Sequence, residues 1–139
     1  MSEMRIMLVD DEERFVATTQ KLLARKGIDV ITATSGSEAL EKLATANVHV
    51  VIMDVKMPGM DGLATLKAIK NRYPSIEVIM LTGHATVESA VDGLGAGAAD
   101  YLMKPADIDE LIAKAEEAYA KRKVLEEKIR VAQARVVEK

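Results

Sequence analysis

Five short runs of branched apolar residues, near positions 5–9, 28–33, 48–53, 76–81 and 99–103, alternate with segments of helical spacing. No other feature limits the fold as strongly. Runs this short, enriched in Val and Ile, read as strands buried on both faces. Between them, apolar residues recur every three or four positions. They do so in 13–26 (Phe15, Val16, Leu22, Leu23), 37–46 (Ala39, Leu40, Leu43), 62–72 (Leu63, Leu66, Ile69) and 85–95 (Val87, Val91, Leu94). Ser35 or Ser37 can cap the second of these helices, and Gly27 can end the first. Five βα units with short connections imply an α/β doubly wound fold, a parallel sheet with helices on both faces. Gly93, Gly95 and Gly97 weaken the fourth helix, each interior Gly costing about 1 kcal/mol relative to Ala. That helix is the element expected to move.

The chain has 139 residues, enough for one domain with a substantial core. Aromatics are 3% with no Trp, so the core is aliphatic, and stacking on single-stranded nucleic acid is disfavoured. A net charge of -3 gives no general attraction to phosphate backbones or anionic membranes. These features predict no direct nucleic-acid binding and no membrane association. The absence of cysteine rules out disulfides and thiolate metal sites. With no signal-peptide pattern and no long apolar run, the expected location is the cytoplasm.

From about Asp107 to the terminus there is no Gly or Pro. Apolar positions follow a heptad, with Ile108, Ala115, Ile129 and Val136 at one seam position and Leu111, Ala118, Leu125 and Ala132 at the other. Arg122 interrupts the seam once. A helix of this length would reach roughly 45 Å, well beyond a domain whose radius of gyration is about 14 Å. The expected division is therefore a body at 1–121 and a helical extension at 122–139, a linker or dimerising coil. A frayed solvated tail is the plainer reading.

Polar side chains close several of the apolar runs. Asp10 and Asp11 follow Ile6–Val9, Asp54 follows Val50–Met53, Thr82 follows Val78–Leu81, and Lys104 follows Tyr101–Met103. The carboxyl edge of an open parallel sheet is where its crevice lies, so these residues should converge. Two like charges 5 Å apart repel by about 3 kcal/mol at an effective dielectric near 20, so three carboxylates need compensation. Lys104 supplies one charge, and a hard divalent ion, Mg²⁺ or Mn²⁺, suits oxygen ligands. Carboxylate, hydroxyl, Lys and metal together are equipment for phosphoryl transfer, with Asp54 as the best-placed nucleophile. Taken singly, each residue has a plainer explanation: a strand-end Asp is often a helix cap, as Asp11 could be for the first helix.

At these residues the chain resembles the receiver domain of bacterial two-component response regulators, from about Arg5 to Ala120. The motifs are Val9-Asp10-Asp11-Glu12, Asp54-Val55-Lys56-Met57-Pro58-Gly59-Met60-Asp61-Gly62, Leu81-Thr82-Gly83-His84 and Gly97-Ala98-Ala99-Asp100-Tyr101-Leu102-Met103-Lys104-Pro105. The resemblance implies the flavodoxin-like strand order 2-1-3-4-5, which the chemotaxis regulator of this family exemplifies. It implies that Asp54 accepts a phosphoryl group from a sensor histidine kinase. It makes Asp11, Asp54 and the Lys56 backbone carbonyl direct Mg²⁺ ligands, with Asp10 acting through water. Lys104 would pair with the phosphoryl oxygens, the Lys104-Pro105 bond would be cis, and Thr82 and Tyr101 would form a switch pair. Phosphorylation would then change the 85–119 face and drive homodimerisation through that face and the last helix.

Lys56 and His84 flank the site, and neither positions a hydrolytic water as a carboxylate or amide would, so a long-lived phosphoryl group is expected. His84 after Thr82-Gly83 is similar to receivers attached to ATPase-type transcription activators. Under this reading the chain is not an enzyme beyond its own phosphoryl transfer and dephosphorylation. The alternative is a small metal-dependent phosphatase or phosphotransferase, although Asp54-Val55-Lys56 lacks the second acid of a D-x-D pair. A flavin or nucleotide carrier is a weaker alternative, since no Gly-rich loop follows the first strand.

Overall fold

The computed structural model describes residues 3–55, 61–83 and 87–138. Its elements are β1 (Arg5–Val9), α1 (Glu13–Arg25), β2 (Asp29–Ala33), α2 (Gly36–Leu43), β3 (Val50–Met53), α3 (Gly62–Arg72), β4 (Glu77–Thr82), α4 (Val87–Gly95), β5 (Asp100–Met103) and α5 (Ile108–Glu138). All strand pairs are parallel, in the order β2-β1-β3-β4-β5, so the doubly wound fold and its strand order are as expected. Local signals set the helix ends. Ser35 Oγ accepts from the Glu38 N–H at 3.1 Å and starts α2, so Ser35 rather than Ser37 is the cap. Gly27, at φ +80°, follows the end of α1, a conformation that favours glycine.

Alternation along the strands divides the core into two layers. Met7, Val9, Val51, Met53, Val78 and Met80 pack with α2 and α3, while Ile6, Leu8, Val50, Ile52, Ile79, Leu81 and Leu102 pack with α1 and α5. The buried members of both layers are aliphatic, as the composition requires, and the aromatic rings pack at their margins.

The structure divides the heptad of α5 into a buried half and an exposed half. Leu111, Ala115 and Ala118 are buried in the domain's own α1–α5 layer, so this half of the seam has its partner within the chain. Leu125, Ile129 and Val136 are exposed. Arg122, where the heptad breaks, turns to the body instead. Its guanidinium donates to Glu77 Oε1 at 2.6 and 2.9 Å and to the Pro74 carbonyl at 3.1 Å. Of the three glycines assigned to the fourth helix, Gly93 and Gly95 lie within it. Gly95 ends α4, and Gly97 follows with φ +108°.

Candidate functional site

Three of the expected strand-end residues, Asp10, Asp54 and Lys104, are each held by one further rung of the sheet ladder. The Asp10 N–H donates to the Ala33 carbonyl at 3.1 Å, the Asp54 N–H to Val9 at 3.1 Å and the Lys104 N–H to Thr82 at 2.8 Å. Side-chain alternation then sorts them. Asp10, Asp54 and Lys104 continue the face of Leu8, Ile52 and Leu102, towards α1 and α5. Thr82 and Tyr101 continue the face of Met80, towards α3 and α4. One sheet edge therefore presents an acid cluster on one side and the hydroxyl and aromatic pair on the other.

Lys104 is the hub of the acid cluster. Its Nζ lies 2.5 Å from Asp10 Oδ2, 3.4 Å from Glu12 Oε1 and 3.6 Å from Asp54 Oδ2. Asp10 and Asp54 are buried, and Lys104 keeps only 14% of its side chain exposed. The Lys104-Pro105 bond is cis. Burial pushes the Asp10 carboxyl above the usual carboxylate range, against the hydrogen bonds from Lys104 and the Glu12 N–H, and Asp54 adds to the rise. For Lys104 burial opposes the charge, but the bond to Asp10 and the fields of Asp10, Asp54 and Glu12 together outweigh it and raise its pKa. An isolated ion pair would shift its two members in opposite directions. Here both shift towards holding protons, Asp10 because burial disfavours its charge and Lys104 because three carboxylates face its one ammonium.

Glu12 belongs to this cluster and had no role in the reading of the sequence. One oxygen from each of Asp10, Glu12 and Asp54 lies within 4.8 Å of the others, a spacing that a single cation can bridge. The local cause is a missing cap. Glu12 is the N-cap of α1 with no side-chain cap bond, and its carboxylate turns to Lys104 instead. Asp11 is therefore not the cap of α1; it is exposed and stands outside the group of three. The adjacency of Glu12 to two site acids was the available signal. Lys56, His84 and the Met57–Met60 part of the turn lie outside the described residues.

Gly62 keeps Asp54 in place from behind. A Cβ at position 62 would sit 2.2 Å from the Asp54 carbonyl oxygen and 2.6 Å from both Val55 Cα and the Val55 carbonyl oxygen. All three are backbone atoms, so no side chain can yield, and only glycine permits this approach. The Gly62 N–H donates to the Val55 carbonyl at 2.8 Å, and Asp61 caps α3 by accepting from the Ala64 N–H at 2.8 Å. Across the sheet, Thr82 is fully buried and Tyr101 is partly buried, its ring 3.8 Å from where a Cβ on Gly93 would stand.

The family model for the response regulator receiver domain matches residues 6–116. The chain belongs to the response regulator receiver family. The receiver is 43% identical over 113 residues to the DNA-binding transcriptional regulator NtrC of Escherichia coli, covering 81% of this chain and 24% of the relative. It is 44% identical over 115 residues to the transcriptional regulatory protein ZraR of the same species, covering 83% of this chain and 26% of the relative. The receiver thus spans about a quarter of the length of these curated relatives. Among solved structures it is similar to a CheY-like receiver domain from Methanospirillum hungatei (TM-score 0.83, 32% identity, 88% of this chain and 98% of that one). It is likewise similar to the beryllofluoride-activated NtrC4 receiver domain dimer (TM-score 0.79, 31% identity, 85% and 98%). Among its described residues no helix is long and apolar enough to cross a membrane.

Proposed function

We propose that this receiver is a phosphorylation-operated switch in which Asp54 accepts a phosphoryl group from the phosphohistidine of a sensor kinase. The observation that carries the reading is the convergence of a buried strand-end carboxylate, two neighbouring acids and one ammonium at the carboxyl edge of the central strand. In the transfer an Asp54 oxygen bonds to phosphorus as the phosphorus–nitrogen bond breaks, and the departing imidazole keeps the electron pair and takes a proton. Lys104, already 3.6 Å from Asp54, pairs with a phosphoryl oxygen. The donor set is all oxygen and deficient in positive charge, which fits Mg²⁺ or Mn²⁺. Asp54 and the Asp10-Asp11-Glu12 run would hold the ion, with the Lys56 carbonyl as a further donor. When bound, it neutralises the negative charge that the acids and the phosphoryl group bring together.

Phosphorylation replaces one carboxylate charge with a group of about -1.5 to -2 and three acceptor oxygens. The Thr82 hydroxyl then turns to one of these oxygens, Tyr101 follows into the space beneath α4, and the α4–β5–α5 face is the readout. The output is homodimerisation through that face and the 122–139 extension, in the cytoplasm. NtrC is by description a DNA-binding regulator, and by that likeness this receiver serves a protein whose other parts meet DNA. The phosphatase alternative finds no support in the family match.

The test is covalent labelling. Incubation with acetyl phosphate and Mg²⁺ should add one base-labile phosphoryl group per chain, and Asp54→Asn should abolish it. A label that persists in that variant, or steady turnover of a generic phosphoester by the wild type, would sink the proposal.

A further inference from the structure

Phe15, in the first turn of α1, has no part in the chemistry above. Its ring lies against the Lys104 ammonium, with Nζ 4.1 Å from the ring centroid. Side chains in a helix lean towards its amino terminus, so residue 15 reaches back over the turn that follows β1, where Asp10 sits. The ring is partly buried and packed against the core layer of α1 and α5. Packing therefore fixes the ring independently of the ammonium.

Lys104 needs such a guide. Its ammonium ends a flexible four-carbon stem and is shared among three carboxylates, one of which, on Glu12, is mostly exposed. Coulomb attraction pulls it both ways, inward to Asp10 at 2.5 Å and outward to the exposed Glu12 at 3.4 Å. An aromatic face attracts the cation, excludes water from that side, and accepts none of the N–H directions that the buried oxygens use. With Asp10, Glu12 and Asp54 it makes a fourth neighbour of the ammonium.

The geometry points to Phe15 as a positioning residue that holds the Lys104 ammonium inward, ready for an anion that forms on Asp54. The inference rests on Asp54 being the phosphoacceptor. The competing explanation is that Phe15 only fills the core, in which case a leucine would serve as well.

The test compares Phe15→Leu, which keeps an apolar side chain without the π face, with Phe15→Tyr, which keeps the face. Three quantities are measured on the full chain: the ring-current shift of the Lys104 Hε protons by NMR, affinity for trifluoroberyllate at saturating Mg²⁺, and affinity for Mg²⁺ alone. In the wild type and Phe15→Tyr the Lys104 protons should resonate upfield. In Phe15→Leu that shift should vanish and trifluoroberyllate affinity should fall about 3- to 10-fold, the range of a partly desolvated cation–π contact. Mg²⁺ affinity should stay within about twofold, since a phenyl ring offers the ion no donor atom. Equal trifluoroberyllate affinity in wild type and Phe15→Leu overturns the inference, as does an equal loss in Phe15→Tyr or a parallel loss of Mg²⁺ binding. A wild type that shows the upfield shift but takes up no trifluoroberyllate sinks the phosphoacceptor reading, and this role with it.

Discussion

Asp10 is 1% exposed and carries a carboxyl that burial holds above its ordinary range. A folded-state pKa above the unfolded one contributes stability at low pH that is lost as pH rises through the folded value. At neutral pH the ionised Asp10 therefore costs the apo-protein stability, which it regains when a cation supplies positive charge. Asp10→Asn is expected to be more stable than wild type in urea at pH 7 without divalent ions, and the gap should close as pH falls towards 4. Added Mg²⁺ should close the gap from the other side, by stabilising the wild type more than the variant. Parallel stability–pH profiles for the two proteins would contradict this account. Asp10, Asp54 and Lys104 were legible from the sequence because a strand-end position is a local property. The inclusion of Glu12 was not, since it depends on an ion pair 92 residues apart in the chain.

At the scale of elements, α5 changes partner along one continuous seam. Its first half closes the core layer beneath β3 and β4, and Arg122 marks where that packing stops. Arg122 and Glu77 are about four-fifths buried, and Lys70 Nζ also reaches Glu77, at 3.8 Å. Removing Arg122 leaves a mostly buried Glu77 with a more distant cation. Arg122→Leu is thus expected to cost about 1–3 kcal/mol in urea unfolding, the range for losing charged hydrogen bonds. Amide exchange should also quicken at 118–126, although leucine restores the apolar heptad. A variant as stable as wild type, with unchanged exchange, would show that the seam rather than the ion pair fixes the path of the helix. The sequence displayed the heptad break plainly. Its meaning lay in a residue 45 positions away.

For the whole molecule, the sheet has two working ends. Its carboxyl edge gathers the acid cluster, and its amino edge anchors α5 through Glu77, the first residue of the strand that ends at Thr82. Beyond Arg122 the helix presents Leu125, Ile129 and Val136, at 44%, 45% and 73% exposure. Such a stripe suits a second copy of the same helix. Ile129→Glu is expected to weaken any dimer seen by light scattering in trifluoroberyllate and Mg²⁺, while leaving Asp54 labelling unchanged. An undiminished dimer would assign association to the α4–β5–α5 face alone.

By itself the sequence determined the element order, the parallel sheet, the two-faced core and the edge at which the reactive side chains gather. All of these follow from local periodicity and from the short reach of each βα connection. Only the tertiary structure decided what each apolar stripe is buried against, which acids share Lys104, and why the heptad breaks at Arg122. Periodicity states that a face must be covered, but the identity of the cover is set by contacts between residues tens of positions apart.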